Sequence, residues 1–428
     1  MWVEDRHGMC AATIGITADD LTGAADTAAA LARPGAPVMV STDMEPRAPK
    51  GSRAFAVTTS SRACSPDEVY TRVRTSLEAL RGAGASLIYK KVDSNLRGNI
   101  GAEMAGVRDT IRGPVLLAPA FPARGRTTVE GVMLIHGVPV AETEMASDPE
   151  APVQQSDVIE LVRSQWRGLS VSHCPLGAVR AGPKAIRDRI GEQDVLVLDA
   201  EIDKDLDAIA RAALSLSPAP ALVGSAGLAA AVGRRVLGRP TPQQWGEETG
   251  GPLLAIVASS SQALLAQVRF AAAERDFVPV AFPCEHLSYE DQRVPELEEA
   301  IAHINEELAS GRSAVVYATG PLPAVEDPVA LVVEHLAHLA FVLVKRTNPQ
   351  GLLVGGGATA QGVLTALGAE AIAIDDEPLS GVGAGVVGSG DFAGRPVVLK
   401  PGAAGGDNAI LRLLEYLGHR VAALRSKA

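Results

Sequence analysis

Two adjacent carboxylates, Asp19 and Asp20, are the side chains whose types and position point most directly to chemistry. They follow a short β-branched segment and precede an Ala-rich helical pattern, so we expect them at the carboxyl end of a strand, where open α/β sheets bind ligands. A carboxylate in that position can orient or deprotonate a hydroxyl group. Asp20 or Thr22 could instead simply cap the helix. Capping does not explain the second acid, or Asp26 on the next turn.

Cationic side chains follow two later predicted strands of the first half. Lys90, Lys91, Asp93 and Arg97 lie between a strand and a helix. A guanidinium can hold a carboxylate or phosphate through two parallel hydrogen bonds, and a lysine adds a point charge. Arg126 follows the next predicted strand, in a loop stiffened by prolines. The alternative is a solvated, salt-bridged surface, but the repeated placement after strands favours an anion site.

Three loops of the second half are suited to phosphate. Each follows a predicted strand and leads into a helix, whose amino end attracts anions. None is a Walker A loop, and none fits the dinucleotide fingerprint. Three such loops at successive strand ends favour a nucleotide site. The candidate binding residues are Ser259, Gly355, Gly356, Gly357, Thr359 and Gly402.

The elements that position these residues alternate between strands and helices, which predicts an α/β protein. We expect two domains, each a mostly parallel sheet flanked by helices, with the active site in the cleft between them. A Pro-, Gln-, Glu- and Gly-rich stretch predicts the boundary. The predicted bounds are 1–237 for the first domain, 238–252 for an exposed linker and 253–428 for the second domain. The predicted strands are 12–17, 38–41, 54–58, 87–90, 115–118, 195–199, 221–224, 253–258, 314–318, 351–354, 371–374 and 397–399.

Composition limits the class of partner. The chain has 428 residues and a formal net charge of −11, which argues against nucleic acid or an anionic membrane as the main partner. Its four cysteines show no paired spacing, which is typical of reduced thiols in a cytoplasmic protein. No signal peptide and no stretch of transmembrane length is expected. Whether the chain forms a homo-oligomer stays open.

The motifs at 16–27, 89–99 and 118–128, together with the three later loops, resemble the four-carbon acid sugar kinase family in order along the chain. The resemblance implies a kinase that uses ATP and Mg²⁺ to phosphorylate the terminal hydroxyl of a four-carbon sugar acid, such as threonate, erythronate or 3-oxo-tetronate. The first domain would bind the sugar acid and the second the nucleotide, with closure about the linker. No metal ligands are assigned.

The resemblance also implies roles for individual residues. Arg97, Arg126 and the lysines Lys90 and Lys91 would contribute to binding the substrate carboxylate. Asp19 or Asp20 would contact its hydroxyls. One acid, Asp20 in preference to Asp93, would orient or deprotonate the attacking hydroxyl.

Three positions depart from the family pattern. Asn95 stands where threonine is usual, Ala358 where an acid is usual, and Ala404 where phenylalanine is usual. The missing acid leaves open an alternative, a weakly active or inactive sensor that binds sugar acid or nucleotide. A nicotinamide-dependent dehydrogenase is a further alternative, against which the missing dinucleotide fingerprint counts.

Overall fold

The chain divides into two compact units, Met1–Thr241 and Pro242–Ala428. The computed structural model describes residues 12–111, 113–217, 219–241, 245–246, 248–258, 262–273, 277–285, 287, 295–402 and 404–426. The strands are β1 (Ile14–Ala18), β2 (Val38–Ser41), β3 (Ala54–Thr58), β4 (Leu87–Lys91), β5 (Val115–Ala118), β6 (Arg126–Val129), β7 (Val132–Ile135), β8 (Val138–Pro139), β9 (Val171–Cys174), β10 (Val195–Leu198), β11 (Ala221–Gly224), β12 (Leu253–Val257), β13 (Phe277–Pro283), β14 (Ser313–Thr319), β15 (Gly351–Gly355), β16 (Ala371–Leu379), β17 (Val382–Val387) and β18 (Pro396–Lys400). The α-helices are α1 (Leu21–Leu31), α2 (Pro66–Gly82), α3 (Ile100–Thr110), α4 (Val158–Gln165), α5 (Leu176–Arg180), α6 (Pro183–Arg187), α7 (Asp203–Leu214), α8 (Ala226–Val236), α9 (Gln262–Ala272), α10 (Pro295–Ala309), α11 (Pro328–Thr347), α12 (Gly357–Ala366) and α13 (Ala409–Arg425).

The sheet of the first unit has the strand order β2-β3-β1-β4-β11-β5-β10-β9, with every pair parallel. All residues of β1 are buried, as expected when helices cover both faces of a parallel sheet. Helices α1, α7 and α8 pack together in one group, and α2, α3 and α4 in another. The carboxyl ends of β3, β1 and β4 therefore lie side by side at one edge. A separate antiparallel sheet, β6-β7-β8, follows β5.

The sheet of the second unit has the order β13-β14-β12-β15-β18-β17-β16. Its pairs are parallel, except that β17 runs antiparallel to both of its neighbours. The α/β architecture predicted from the sequence is confirmed in both units. The strands at 38–41, 54–58, 115–118 and 221–224 have the predicted bounds. The prediction missed β9, β13 and β17 of these two sheets, and the Gly-containing sequence VGAGVV of β17 lacks the usual strand signal.

Helix α11 corrects one expectation. No stretch of transmembrane length was expected, but α11 has 20 residues and a mean hydropathy of 1.6 over an 18-residue window. By length and composition it could cross a membrane. Half of that window is buried inside the protein, because the helix packs against α10 and α12. His335 on this helix is only 6% exposed and bonds through Nδ1 to the Leu331 carbonyl. The hydropathy of α11 is thus that of a core helix.

One residue of the predicted linker, Trp245, is held by the second unit. Its indole N–H donates to Asp376 at 3.2 Å, and its ring lies edge-on to Tyr416. The guanidinium of Arg420, which is 1% exposed, lies 5.1 Å from the centre of a Trp245 ring and bonds to Asp375. The cation–π contact and the hydrogen bond to the Asp376 carboxylate hold Trp245 against helix α13 and strand β16.

Candidate functional site

Asp20 caps helix α1. Its Oδ1 accepts a hydrogen bond from the Gly23 backbone N–H at 2.8 Å, and its Oδ2 accepts one from the Thr22 hydroxyl at 2.6 Å. The capping role considered from the sequence is therefore present. A Cβ at Gly23 would lie 2.5 Å from Asp20 Oδ1 and 3.1 Å from Lys91 Nζ, so this helix turn accepts only glycine without rearrangement.

Arg62 holds the acids of this edge together, and the sequence analysis missed it. It lies in the loop after β3, is 7% exposed, and bonds through Nε and Nη2 to Asp19 Oδ2 at 2.7 Å. The same Nη2 lies 2.9 Å from Asp20 Oδ1 and 3.6 Å from Asp93 Oδ1. The available signal was the run of polar residues directly after the predicted strand 54–58, the same position that singled out Asp19 and Asp20.

These contacts fix the ionisation of Asp20. Burial alone would raise its pKa, but Arg62 and Lys91 outweigh burial and hold the pKa below its ordinary value. Asp19 Oδ1 is different, because it is buried and has no hydrogen-bond partner in the described part of the chain. Buried carboxylate oxygens are normally satisfied. Asp19 therefore retains an acceptor for a bound group.

Asp93 and Arg97 form one closed unit. Arg97 donates through Nε and Nη2 to the two carboxylate oxygens of Asp93 at 3.0 and 3.1 Å, and through Nη1 to Asp148 at 3.2 Å. Asp93 also accepts the backbone N–H groups of Asn95 and Arg97. Burial opposes ionisation, but Arg97 and Arg62 hold the pKa of Asp93 well below its usual range. The geometry does not support the expectation that the Arg97 fork faces a substrate carboxylate, because protein carboxylates occupy it.

Lys90 and Lys91 point in opposite directions, as neighbours in a strand must. Lys90 is fully buried and donates to Glu103 at 2.6 Å and to the Lys91 carbonyl at 2.7 Å. This geometry corrects its expected place on the substrate surface, since strand alternation turns it toward helix α3. Lys91 faces the acids. Burial would lower its pKa, but Asp26 and Asp19 raise it above the ordinary value.

Arg126 is a buried guanidinium without a carboxylate. It is 8% exposed, and its Nε donates to the Asn95 side-chain oxygen at 2.5 Å. Among the described residues, no carboxylate oxygen lies within 4.0 Å of it. Burial and the nearby Arg124 lower its pKa. Buried charges are normally paired, so Arg126 is prepared to receive an anion.

The glycine loops of the second unit also meet at one sheet edge. The Ala258 N–H donates to the Gly355 carbonyl, and the Gly356 N–H donates to the Lys400 carbonyl, both at 3.0 Å. Gly356 has a φ of 105°, and a Cβ there would lie 2.4 Å from the Ala258 carbonyl oxygen. Lys400 Nζ donates to the Gly402 carbonyl at 2.6 Å. The carboxyl ends of β12, β15 and β18 are thus tied together through Ala258, Gly356 and Gly402.

The amino end of helix α12 opens at this edge. It begins at Gly357, and its N-cap residue Gly356 has no side chain that could cap it. Its first backbone N–H groups are available to an anion, as at many phosphate sites. Thr359 is buried in the first turn. Ser259, predicted to join this site, lies outside the described residues. The described residues contain no group of three or more His, Cys, Asp or Glu side chains that could hold a metal ion.

Two family models match the chain. A sugar-binding N-terminal domain matches residues 14–232, and a nucleotide-binding C-terminal domain matches residues 254–410. The charged edge around Arg62 and Arg126 lies in the first of these domains. The tied glycine loops lie in the second.

Curated relatives match over nearly the full length. A D-threonate kinase of Bordetella bronchiseptica is 33% identical, with 95% of this chain and 98% of the relative covered. A D-erythronate kinase of Heliobacterium modesticaldum is 30% identical, with coverage of 94% and 96%. A 3-oxo-tetronate kinase of Methylobacterium radiotolerans is 31% identical, with coverage of 94% and 99%. A crystal structure of a Salmonella typhimurium protein, 22% identical, has the same fold with a TM-score of 0.74, covering 94% of this chain and 98% of that one.

Proposed function

This chain belongs to the four-carbon acid sugar kinase family, and from that premise we propose that it transfers the γ-phosphoryl group of ATP to the terminal hydroxyl of a four-carbon sugar acid. Threonate, erythronate and 3-oxo-tetronate, which name its relatives' activities, are the substrates to test. The observation that carries the proposal is Arg126, a buried cation in the sugar-binding domain that has no carboxylate oxygen within 4.0 Å among the described residues. A neutral sugar would leave that charge unpaired.

The substrate is held by groups with unused bonding capacity. Arg126 binds the carboxylate through its Nη atoms, since its Nε is bonded to Asn95. Lys91 supplies positive charge beside the acids. Asp19 accepts a substrate hydroxyl through Oδ1, its unsatisfied oxygen. Asp20, fixed by its cap bonds, orients the attacking hydroxyl.

The nucleotide phosphates bind at the amino end of α12, with Gly355, Gly356 and Gly357 allowing close approach and Gly402 in the adjoining loop. Phosphoryl transfer depends mainly on positioning and on neutralising charge. Mg²⁺ is usually held by one or two carboxylates together with substrate phosphates and water. Mg²⁺ would enter with the nucleotide and would neutralise charge on its phosphates.

The test is ADP release with ATP and Mg²⁺ against four-carbon sugar acids, their 3-oxo forms and neutral tetritols. We expect turnover with an acid and none with the tetritols. Equal turnover of a tetritol would contradict the role of Arg126. Nucleotide binding without ADP release for any compound of the panel would contradict the proposed kinase activity and favour a sensor.

The matched variant is Arg126→Lys, which keeps the charge and loses the fork. Loss of one charged hydrogen bond, about 1.5–3 kcal/mol, should raise KM for the acid about tenfold or more and leave KM for ATP unchanged. Arg47→Lys, at an exposed ion pair with Asp43, is the control and should change neither constant. An unchanged KM for the acid in Arg126→Lys would remove Arg126 from the substrate site.

A further inference from the structure

The end of strand β11 separates the two groups of side chains that we assign to the substrate. β11 lies between β4 and β5, and its last residue, Gly224, pairs with Lys91 on one side and with Ala118 on the other. Lys91 faces the acids after β1, and the chain beyond Ala118 leads to Arg126. Two strand spacings, about 10 Å, therefore separate the backbones of β4 and β5 at this edge.

Ser225, the residue directly after β11, bonds to both sides of this interval. Its buried hydroxyl donates to the Ala120 carbonyl at 2.5 Å, and its carbonyl accepts a hydrogen bond from the Tyr89 hydroxyl at 2.5 Å. The same serine hydroxyl accepts the Gly227 backbone N–H at 3.0 Å and so caps helix α8. Capping uses only the oxygen as an acceptor. The bond that the hydroxyl donates to Ala120 is a separate contact, which joins the ends of β11 and β5.

The bond to Ala120 reaches Arg126 through the backbone. The Phe121 N–H donates to the Arg126 carbonyl at 2.8 Å, and the Arg126 N–H donates to the Phe121 carbonyl at 3.1 Å. The turn between these two residues contains Gly125 in the left-handed conformation, with a φ of 67°. Because this turn is closed by two hydrogen bonds, a shift of Ala120 moves the backbone of Arg126 with it.

Gly224 allows β11 to approach its neighbours closely. A Cβ at this position would lie 2.4 Å from the Ala118 carbonyl oxygen and 3.1 Å from the Tyr89 hydroxyl. The strands on both sides therefore pack directly against the end of β11. The interval that Ser225 bridges has little room to shrink, and the two hydrogen bonds of Ser225 oppose its widening.

We propose that Ser225 is a positioning residue that sets the distance between Arg126 and the acids after β1, and thereby the chain length of the sugar acid that the site selects. The inference rests on the proposed kinase activity. Arg126 would bind the carboxylate end of the substrate and Asp20 would orient its terminal hydroxyl, so a shorter or longer acid could not engage both. Misplacing a reacting group by about 1 Å can lower a rate about 10²-fold.

The test compares kcat/KM for the four-carbon acid with kcat/KM for the corresponding five-carbon acid, at saturating ATP and Mg²⁺. Ser225→Ala should lower the ratio of the two values about three- to tenfold, as expected for the loss of one buried hydrogen bond. Its KM for the four-carbon acid should rise, while its KM for ATP should not change. A variant that merely unfolds in part lowers both values of kcat/KM equally and leaves their ratio unchanged. Where the five-carbon acid reacts too slowly, its competitive inhibition constant replaces its kcat/KM.

The control is Ser76→Ala, in the same unit. Ser76 is also fully buried, and its hydroxyl also makes two hydrogen bonds, to the Thr17 hydroxyl and the Val73 carbonyl. We expect this variant to lose stability and to keep the ratio of the wild type.

Two further variants separate positioning from folding. Tyr89→Phe removes the hydrogen bond on the β4 side and keeps the buried ring, so it should lower the ratio in the same direction. It tests the proposal even where Ser225→Ala fails to fold. In an Arg126→Lys background, Ser225→Ala should raise the KM for the four-carbon acid by a smaller factor than in the wild type, because it acts through Arg126.

Each negative result has a distinct meaning. No turnover by the wild type with any four-carbon acid contradicts the proposed function, and this inference fails with it. Wild-type turnover, with the ratio unchanged in Ser225→Ala and in Tyr89→Phe, overturns the role of Ser225 alone. Equal effects of Ser225→Ala with and without Arg126→Lys overturn the route through Arg126.

Discussion

Replacing Arg62 by methionine should destabilise the first unit strongly at neutral pH. The side chain of Arg62 is 6% exposed, and its guanidinium lies 2.7 Å from Asp19, 2.9 Å from Asp20 and 3.6 Å from Asp93. Methionine fills similar space but leaves these buried carboxylates without their shared counter-ion. Removing one partner of a buried ion pair typically costs about 3–5 kcal/mol of unfolding free energy.

Protonation sets a limit to this loss and makes it depend on pH. Neutralising a carboxyl with the ordinary pKa of 3.8 costs about 1.4 kcal/mol per pH unit above that value. The limit for each carboxyl is therefore about 4 kcal/mol at pH 7 and under about 2 kcal/mol at pH 5. In the wild type, the lowered pKa values of Asp20 and Asp93 contribute stability above their unfolded pKa, which is lost as the pH falls through the folded values. The deficit of Arg62→Met should shrink correspondingly on acidification.

The assay is urea unfolding followed by tryptophan fluorescence at pH 7 and pH 5, in a Trp245→Phe background. The remaining tryptophans, Trp2 and Trp166, both belong to the first unit. The control is Arg163→Met, since Arg163 and its partner Glu160 are about half exposed and such pairs contribute under about 1 kcal/mol. A loss no greater than that of the control, or one equal at both pH values, would refute the shared counter-ion.

Three other substitutions test separate features by thermal or chemical unfolding. Gly23→Ala should lower the unfolding free energy by about 1–2 kcal/mol because it disturbs the Asp20 cap, and it should reduce turnover at least about tenfold. Gly82→Ala, where a Cβ meets nothing within 4 Å, is the control and should be neutral or slightly stabilising. Equal effects of the two substitutions would contradict the clash at Gly23. Lys90→Met should cost about 3–5 kcal/mol, and adding Glu103→Leu should recover most of that loss, because the pair is buried; additive losses would be inconsistent with this account. Trp245→Ala should lower the stability of residues 242–428 by about 1–3 kcal/mol, measured with and without nucleotide; no change would mean that the indole contacts contribute nothing.

The sequence was informative where chemistry depends on the backbone path. Asp19 and Asp20 were predicted to follow one strand and Asp93 to follow another, and parallel strands end at one edge of a sheet. The structure brings these residues together through Arg62. The α/β architecture followed for the same reason, since apolar runs bounded by turns mark its strands.

The sequence was less informative about which charges pair with each other. Arg97 and Lys90 were assigned to an anionic substrate, but each is bonded to protein carboxylates. Arg97 is bonded to Asp93 and Asp148, and Lys90 is bonded to Glu103 of helix α3. A cation that follows a strand has the same sequence signature whether its partner is a ligand or another side chain. Only alternation along β4 could have separated Lys90 from Lys91.

Arg62 also has a consequence for how this protein can change over generations. The Arg62 guanidinium pairs with acids that follow two other β-strands. A mutation of Arg62 or of one of these acids therefore leaves a buried charge without its partner. Such a group can drift only through coordinated replacements. Arg126 is bonded instead to the neutral amide of Asn95, and a change there leaves no orphaned charge. We therefore expect related proteins that act on different acids to differ at position 95, and to keep the carboxylates around Arg62 unchanged.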